Sequence, residues 1–222
     1  MNMFCKYIAV MAAVAAPALS IHPASAQSFK KGVLLVSLSE GRTHANFSTK
    51  NTSVPDGAVN YIKTDGDRDP ITIEYGLTKH WGLGINIGTD ILKVDPKTFY
   101  GFQTGSGQVK VFMSEVTLDA SFHLLVTKHT DLCGFISVGP STFTVKGNDG
   151  DYAYKYTATG GIVRVGSKFK YYPCKRFGLM AMISTYSTSC STKGIKDNTV
   201  GSGYTTGING WALEFGPCIR FF

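Results

Sequence analysis

The closing stretch Trp211-Ala212-Leu213-Glu214-Phe215-Gly216-Pro217-Cys218-Ile219-Arg220-Phe221-Phe222 alternates apolar and polar side chains and stops on an aromatic pair. Successive side chains of a strand point to opposite faces, so this pattern describes one extended strand with two unlike faces. Trp211, Leu213, Phe215, Ile219 and Phe221, with Pro217 among them, make a face suited to lipid. Ala212, Glu214, Gly216 and Arg220 make a face suited to the inside of a barrel.

The same two-residue period runs back through the chain. Ile71-Thr72-Ile73-Glu74-Tyr75-Gly76-Leu77 alternates, passes through Thr78-Lys79-His80, and resumes as Trp81-Gly82-Leu83-Gly84-Ile85-Asn86-Ile87-Gly88. Residues 116–126 meet 133–145 in the same way across 127–131, and residues 162–171 meet 177–186 across 172–176. With 32–43 at the start and 209–222 at the end, the reading predicts eight strands joined by three short turns and four longer polar connections, near 45–69, 93–108, 146–155 and 191–208. Helical periodicity is absent. Regular alternation of short and long connections, with strands on the order of 10 to 14 residues, is the pattern of tilted strands crossing a bilayer. The fold class expected is therefore all-β: an eight-stranded, antiparallel, up-and-down transmembrane β-barrel.

The N-terminus agrees with export. Lys6 precedes an apolar run from Tyr7 to Leu19, and Ala24-Ser25-Ala26 fits the small-residue rule of a signal peptidase site. The run, roughly 13 residues, is shorter than the roughly 20 that a membrane helix needs. A signal peptide over residues 1–27, cleaved near Ala26 or Gln27, and one barrel domain over 28–222 are expected. Cys5 precedes the apolar run and is not a lipobox cysteine. No later stretch is long and apolar enough for a membrane helix, and only helices and closed barrels satisfy their backbone in lipid.

Two aromatic girdles are expected at the membrane interfaces. Trp81, Tyr171, Tyr172, Phe177 and Phe221 fall toward the short turns, and Phe99, Tyr100, Phe102, Tyr186 and Trp211 toward the long loops.

On these residues the chain resembles the eight-stranded outer-membrane barrels of the OmpA, OmpX and OmpW type, the "outer membrane protein beta-barrel domain" group. Glu214, Gly216, Ile219 and Phe221 match the terminal signal by which the outer-membrane assembly machinery recognises its clients. The extra Phe222 and Pro217 inside the last strand depart from it. The resemblance implies a bacterial outer-membrane location, with lipid, lipopolysaccharide and the assembly machinery as partners, and allows an extracellular ligand at the loops.

Assigning faces by alternation places Glu74, Glu115, Asp119, His123, Arg164, Lys168, Glu214 and Arg220 inside the barrel. An eight-stranded barrel is just wide enough to be filled by side chains. Charges of both signs there imply a paired luminal network, since an unpaired buried charge is costly. Ser121 and His123 share a face with Glu115 and Asp119, from which a nucleophile, a base and an orienting carboxylate could be drawn. That face points into the lumen, away from any lipid substrate, and no motif of the lipid-modifying barrels is present. No catalytic residue is therefore expected.

The chain carries 22 Lys and Arg against 15 Asp and Glu, a formal charge of +7, and the leader contributes only Lys6. These charges are scattered rather than massed as a phosphate footprint, so nucleic acid is not an expected partner. Lys50, Lys63, Arg68, Lys93 and Lys97 are read as outer-loop residues able to meet lipopolysaccharide phosphates, and Asp65-Gly66-Asp67-Arg68-Asp69 as an acidic loop tip without the downstream glutamate of a calcium hand. Cys133, Cys174, Cys190 and Cys218 allow three pairings, and at most one bond, Cys174 with Cys218, is expected. Their spacing is not that of a zinc site, so neither metal nor cofactor is expected. The function expected is a structural or loop-mediated surface role such as envelope integrity or adhesion. A small channel for ions or apolar solutes is the alternative, ahead of a lipid-modifying enzyme or a soluble lipocalin-like carrier.

Overall fold

The structure, a computed structural model, describes residues 28–51, 60–94, 108–149, 152–191 and 204–221. The expected signal peptide lies outside the described residues. The elements are β1 (Leu34–Leu38), β2 (Glu40–Asn51), β3 (Asn60–Gly76), β4 (Trp81–Val94), β5 (Gln108–Val126), β6 (Thr130–Asp149), β7 (Tyr152–Tyr171), β8 (Phe177–Ser191) and β9 (Tyr204–Phe221). From β2 to β9 each strand pairs antiparallel with its chain neighbours, and β9 returns to pair with β1 and β2, closing the sheet into a barrel.

β1 and β2 lie end to end between β3 and β9. Leu38 faces Ile71 and Gly41 faces Arg68 on one side, while Ser37 faces Cys218 and Glu40 faces Phe215 on the other. The register is unbroken across Ser39, so the two form one member of an eight-membered ring. The interruption has a cause in the neighbouring strands. Continuing the registers sets Pro70 of β3 opposite Ser39 and Pro217 of β9 opposite Leu38, and proline contributes no N–H to a ladder. The Ser39 N–H donates to the Pro70 carbonyl at 3.1 Å.

β3 to β9 span 14 to 20 residues. They exceed the expected lengths because polar residues continue the ladders beyond the apolar segments. The stretch expected as a loop over 45–69 is largely the β2–β3 hairpin, and Asp65 to Asp69 pair with β4 as strand residues. Lys50, Lys63 and Lys93 likewise belong to strands. Lys97, Phe99, Tyr100 and Phe102 lie outside the described residues.

Two of the short turns share the tripeptide Thr-Lys-His, at 78–80 and at 127–129. The Thr78 hydroxyl accepts from the His80 and Trp81 N–H groups at 3.1 and 2.9 Å, and the Thr127 hydroxyl accepts from the His129 and Thr130 N–H groups at 3.2 and 2.9 Å. Threonine closes each turn on itself. Each histidine then ties its turn to the next: His80 Nδ1 lies 2.9 Å from the His123 carbonyl and His129 Nδ1 lies 2.8 Å from the Tyr172 carbonyl.

Burial alternates along the strands, except at the register shift between His123 and Leu125 in β5 and along Gly216–Arg220 of β9, where Cys218, Ile219 and Arg220 are all buried. The outward set forms an apolar surface that includes Leu83, Ile85, Ile87, Val116, Leu118, Val138, Val163, Leu179, Ile183, Leu213 and Phe215, with Leu118 59% and Leu179 62% exposed. Toward the turn end this surface carries Tyr75, Trp81, Phe122, Phe169 and Tyr171, all exposed. Three assignments need correction. Tyr172 and Tyr186 are buried, not girdle residues, because their register turns them inward. Ile219 shares the outer register of Val36 and Phe177 but is fully covered, so it offers no lipid contact.

Candidate functional site

The lumen is filled by three layers of side chains. The middle one is built on Arg68, which enters from β3 and is completely buried. Its Nη1 donates to Asp90 of β4 at 2.8 Å, its Nη2 to Glu115 of β5 at 2.5 Å, and its Nε to Glu214 of β9 at 2.8 Å. One guanidinium therefore uses its planar fork to join four strands across the barrel. The space for it comes from β4, where a Cβ at Gly88 would sit 2.9 Å from both terminal nitrogens of Arg68. Arg164 of β7 shares Glu115, donating at 3.0 Å, and also donates to Ser184 at 3.0 Å. Glu214 accepts a further bond from the Ser39 hydroxyl at 3.1 Å, at the break between β1 and β2.

Toward the turns a second group continues the network. Lys168 reaches Asp119 at 3.1 Å. Lys170 of β7 crosses to Glu74 of β3 at 2.8 Å and lies 3.5 Å from Asp131. His123 sits between the same two carboxylates, with Nδ1 2.6 Å from Asp131 and Nε2 2.9 Å from Glu74, contacts that an imidazolium satisfies by donating twice. Gly82 makes room for Glu74, whose Oε1 occupies the space that a Cβ there would need.

The layer at the turn end is apolar and closes the barrel. Phe29, Val33, Leu35, Tyr172, Met180 and Cys218 form one buried cluster. Two of these residues precede β1: the chain runs across the opening before it starts the barrel wall. The Ser28 N–H and hydroxyl donate to the Thr127 and Thr130 carbonyls, both at 2.7 Å, and Phe29 stacks on the His123 ring at 3.4 Å. Gly32, at φ 84°, makes the bend from this plug into β1. At the loop end the lining is also apolar, with Phe47, Leu92, Val111, Met113, Phe143 and Val145 in one buried cluster. Phe47 and Phe143 meet across the lumen at 5.2 Å.

Of the residues assigned inward from the sequence, Glu74, Glu115, Asp119, Arg164, Lys168 and Glu214 lie in this ion-paired interior. Arg220 does not join those carboxylates. It is buried at the turn end, donates from Nε to the Lys175 carbonyl at 2.8 Å, bonds the same oxygen through Nη2, and lies over the Tyr172 ring at 4.5 Å. Arg68 is the main correction: it is no outer-loop cation but the centre of the network. Asp90, Asp131 and Lys170 also belong to the network without standing out in the sequence, although each shares the parity of inward neighbours on its strand. Gly216 and Phe221 of the expected insertion signal are half-buried.

Ser121 and His123 both point inward and are completely buried. Both His123 nitrogens are engaged by carboxylates, and among the described residues the Ser121 hydroxyl has no partner, so the two do not form a nucleophile–base pair. Cys133, Cys174, Cys190 and Cys218 stand as free thiols, with Cys174 exposed and the other three buried, and the expected bond between Cys174 and Cys218 is not formed. Among the described residues no cluster of His, Cys, Asp and Glu is arranged to hold a metal ion.

A ring of eight antiparallel strands, polar and paired within and apolar without, is the fold of the small outer-membrane β-barrels. Two solved structures make the likeness specific. The outer membrane protein OprG of Pseudomonas aeruginosa superposes with a TM-score of 0.56 at 14% identity, over 87% of this chain and 97% of that one. The outer membrane protein AlkL, determined in DMPC lipid bilayers, gives a TM-score of 0.54 at 14% identity over 91% and 96%. No protein-family model matches the chain. No curated protein matches it in sequence.

Proposed function

We propose that this chain is exported by an N-terminal signal peptide and inserts in the bacterial outer membrane as a closed barrel. Its role is structural or carried by its outer surface and loop end. The observation behind this reading is the Arg68 layer, whose guanidinium and three carboxylate partners all have fully buried side chains. A water-filled pathway would leave such groups hydrated; here each is instead bonded to an opposite charge, with Asp90 Oδ1 left without a hydrogen-bond partner among the described residues. Insertion is supported by the outer face, since large side chains such as Leu118, Leu179 and Phe215 project from it unpaired. The turn end then faces the periplasm. Planar-bilayer recording on the purified barrel tests the closed lumen: silent membranes agree with it, and steady ohmic steps overturn it.

A second reading, passage of small apolar solutes, draws on the apolar lining of the loop-side lumen around Phe47, Leu92 and Phe143. It predicts faster uptake of an apolar tracer into vesicles bearing the barrel, lost on filling the lining with Val111→Phe. Unchanged uptake in both would leave the surface role alone.

A further inference from the structure

Four lysines form a single row across the outer face. Lys93 of β4 stands opposite Lys110 of β5, Lys110 opposite Lys146 of β6, and Lys146 opposite Lys155 of β7. All four are exposed. Strands in a sheet lie about 4.8 Å apart, so the row confines four ammonium-bearing stems to a width of roughly 15 Å. Like charges placed directly opposite one another destabilise a sheet. The fold supplies little to offset this. Lys93 stands opposite Asp65 and reaches Asp67 at 3.5 Å, but Asp65 is bonded to His44 and Asp67 is paired with Arg42 at 2.8 Å. Among the described residues no carboxylate lies within ion-pair distance of Lys110, Lys146 or Lys155, in contrast to the carboxylate-bound cations of the lumen. Lys146 is laid over the Phe112 ring at 5.2 Å, which keeps its ammonium against the barrel wall.

The place of the row matters as much as its charge. On β4 it follows Ile91 by one outward position, and on β5 it follows Phe112, so it begins where the apolar surface ends on the loop side. On β6 and β7 the interval is filled by Thr142, Thr144, Thr157 and Thr159, and the Thr144 and Thr157 hydroxyls are 3.2 Å apart. Lys93 and Lys110 therefore border the apolar surface, while hydroxyl-bearing positions lead from it to Lys146 and Lys155, an ascending polar edge that matches an amphiphile with several anionic oxygens anchored below by its own acyl chains.

We propose that Lys93, Lys110, Lys146 and Lys155 form a binding site for the phosphate groups of a bis-phosphorylated glycolipid in the leaflet around the loop end. This rests on the reading that the outer face lies in a membrane. The lipid supplies the counter-charge that the protein lacks, and its chains pack on the apolar surface beneath. Each lysine near an anionic surface contributes about 1 kcal/mol, close to a fivefold change in affinity, so loss of three weakens binding on the order of a hundredfold at low salt.

The full processed chain, purified in a fixed neutral detergent, is to be titrated with bisphosphoryl lipid A, dephosphorylated lipid A and inorganic phosphate, with bound lipid read by native mass spectrometry. The wild type is expected to hold bisphosphoryl lipid A and to lose most of it in the dephosphorylated form or at high salt. The triple variant Lys110→Gln, Lys146→Gln, Lys155→Gln is expected to bind on the order of a hundredfold more weakly. Without lipid the variant is expected to unfold no more easily than the wild type, since its like-charge contacts are relieved. Equal binding by variant and wild type, or by the two forms of lipid A, overturns the site while leaving the membrane reading intact. Displacement by millimolar inorganic phosphate overturns the choice of a lipid ligand. A chain recovered without detergent overturns the membrane reading and the site with it.

Discussion

Replacing Arg68 by methionine removes the charge at the centre of the lumen while keeping most of the side-chain volume. In the wild type the guanidinium donates to Asp90, Glu115 and Glu214 at 2.8, 2.5 and 2.8 Å, and all four side chains are fully buried. Removing one partner of a buried ion pair costs about 3–5 kcal/mol, because the other charge is left without compensation. Here three carboxylates lose a shared partner; only Glu115 keeps another cation, Arg164 at 3.0 Å. The expected loss is at least about 3 kcal/mol, more than a hundredfold in the folding equilibrium. Urea unfolding in lipid vesicles reads this directly from the fluorescence of Trp81 and Trp211, both exposed on the outer face. Adding Glu214→Gln to Arg68→Met should recover part of the loss, since it removes one of the stranded charges. A destabilisation below about 1 kcal/mol, or no recovery in the double variant, would refute the reading of Arg68 as the hub of a dry network.

Further consequences concern the outer face, the plug and the thiols. Leu118→Arg on the lipid-facing surface should cost about 2–4 kcal/mol when the protein is refolded into bilayers, and a barrel bathed in water would show no such penalty. Phe29→Ala removes the aromatic that stacks on His123 at 3.4 Å and should destabilise by about 3 kcal/mol in urea, yet the variant should remain electrically silent because the ion-paired layer lies above the plug. Maleimide should label Cys174 in the native protein, and Cys133, Cys190 and Cys218 only after unfolding. Fewer than four reactive thiols in the unfolded, unreduced mature chain would contradict the free-thiol assignment.

Much of the barrel is legible in the sequence because a membrane strand has to alternate. Ile71 to Leu77, Trp81 to Gly88 and Trp211 to Phe215 each carry a lipid-facing residue at every second position, and lipid tolerates few exceptions. The same rule gives the inward parity of Glu74, Glu115, Arg164 and Glu214. Beyond the apolar surface the outward positions are free to be polar, so the period fades although the ladder continues. Asp65 to Asp69, with Gly66 among them, therefore reads as a loop. Arg68 reads as a loop cation for the same reason, though it shares the parity of Thr72 and Glu74 on β3. Gly66 is a close-approach position, where a Cβ would lie 2.5 Å from the Ile91 carbonyl oxygen, and not a turn. The plug was invisible for a different reason: Ser28 to Val33 has no period, and its burial depends on distant partners such as Thr127 and His123. Tyr172 and Tyr186 show that an aromatic near a strand end is no guide to its face. The lysine row depends on register between four strands, which alternation within any one of them does not set.

Closure and membrane insertion are both read by gel mobility of the detergent-extracted membrane fraction, run with and without boiling, because a closed and internally paired barrel resists SDS until heated. A barrel of this kind gives a compact band in the membrane fraction that shifts on boiling. A band recovered in the soluble fraction without detergent, with the same mobility before and after heating, would contradict both closure and insertion.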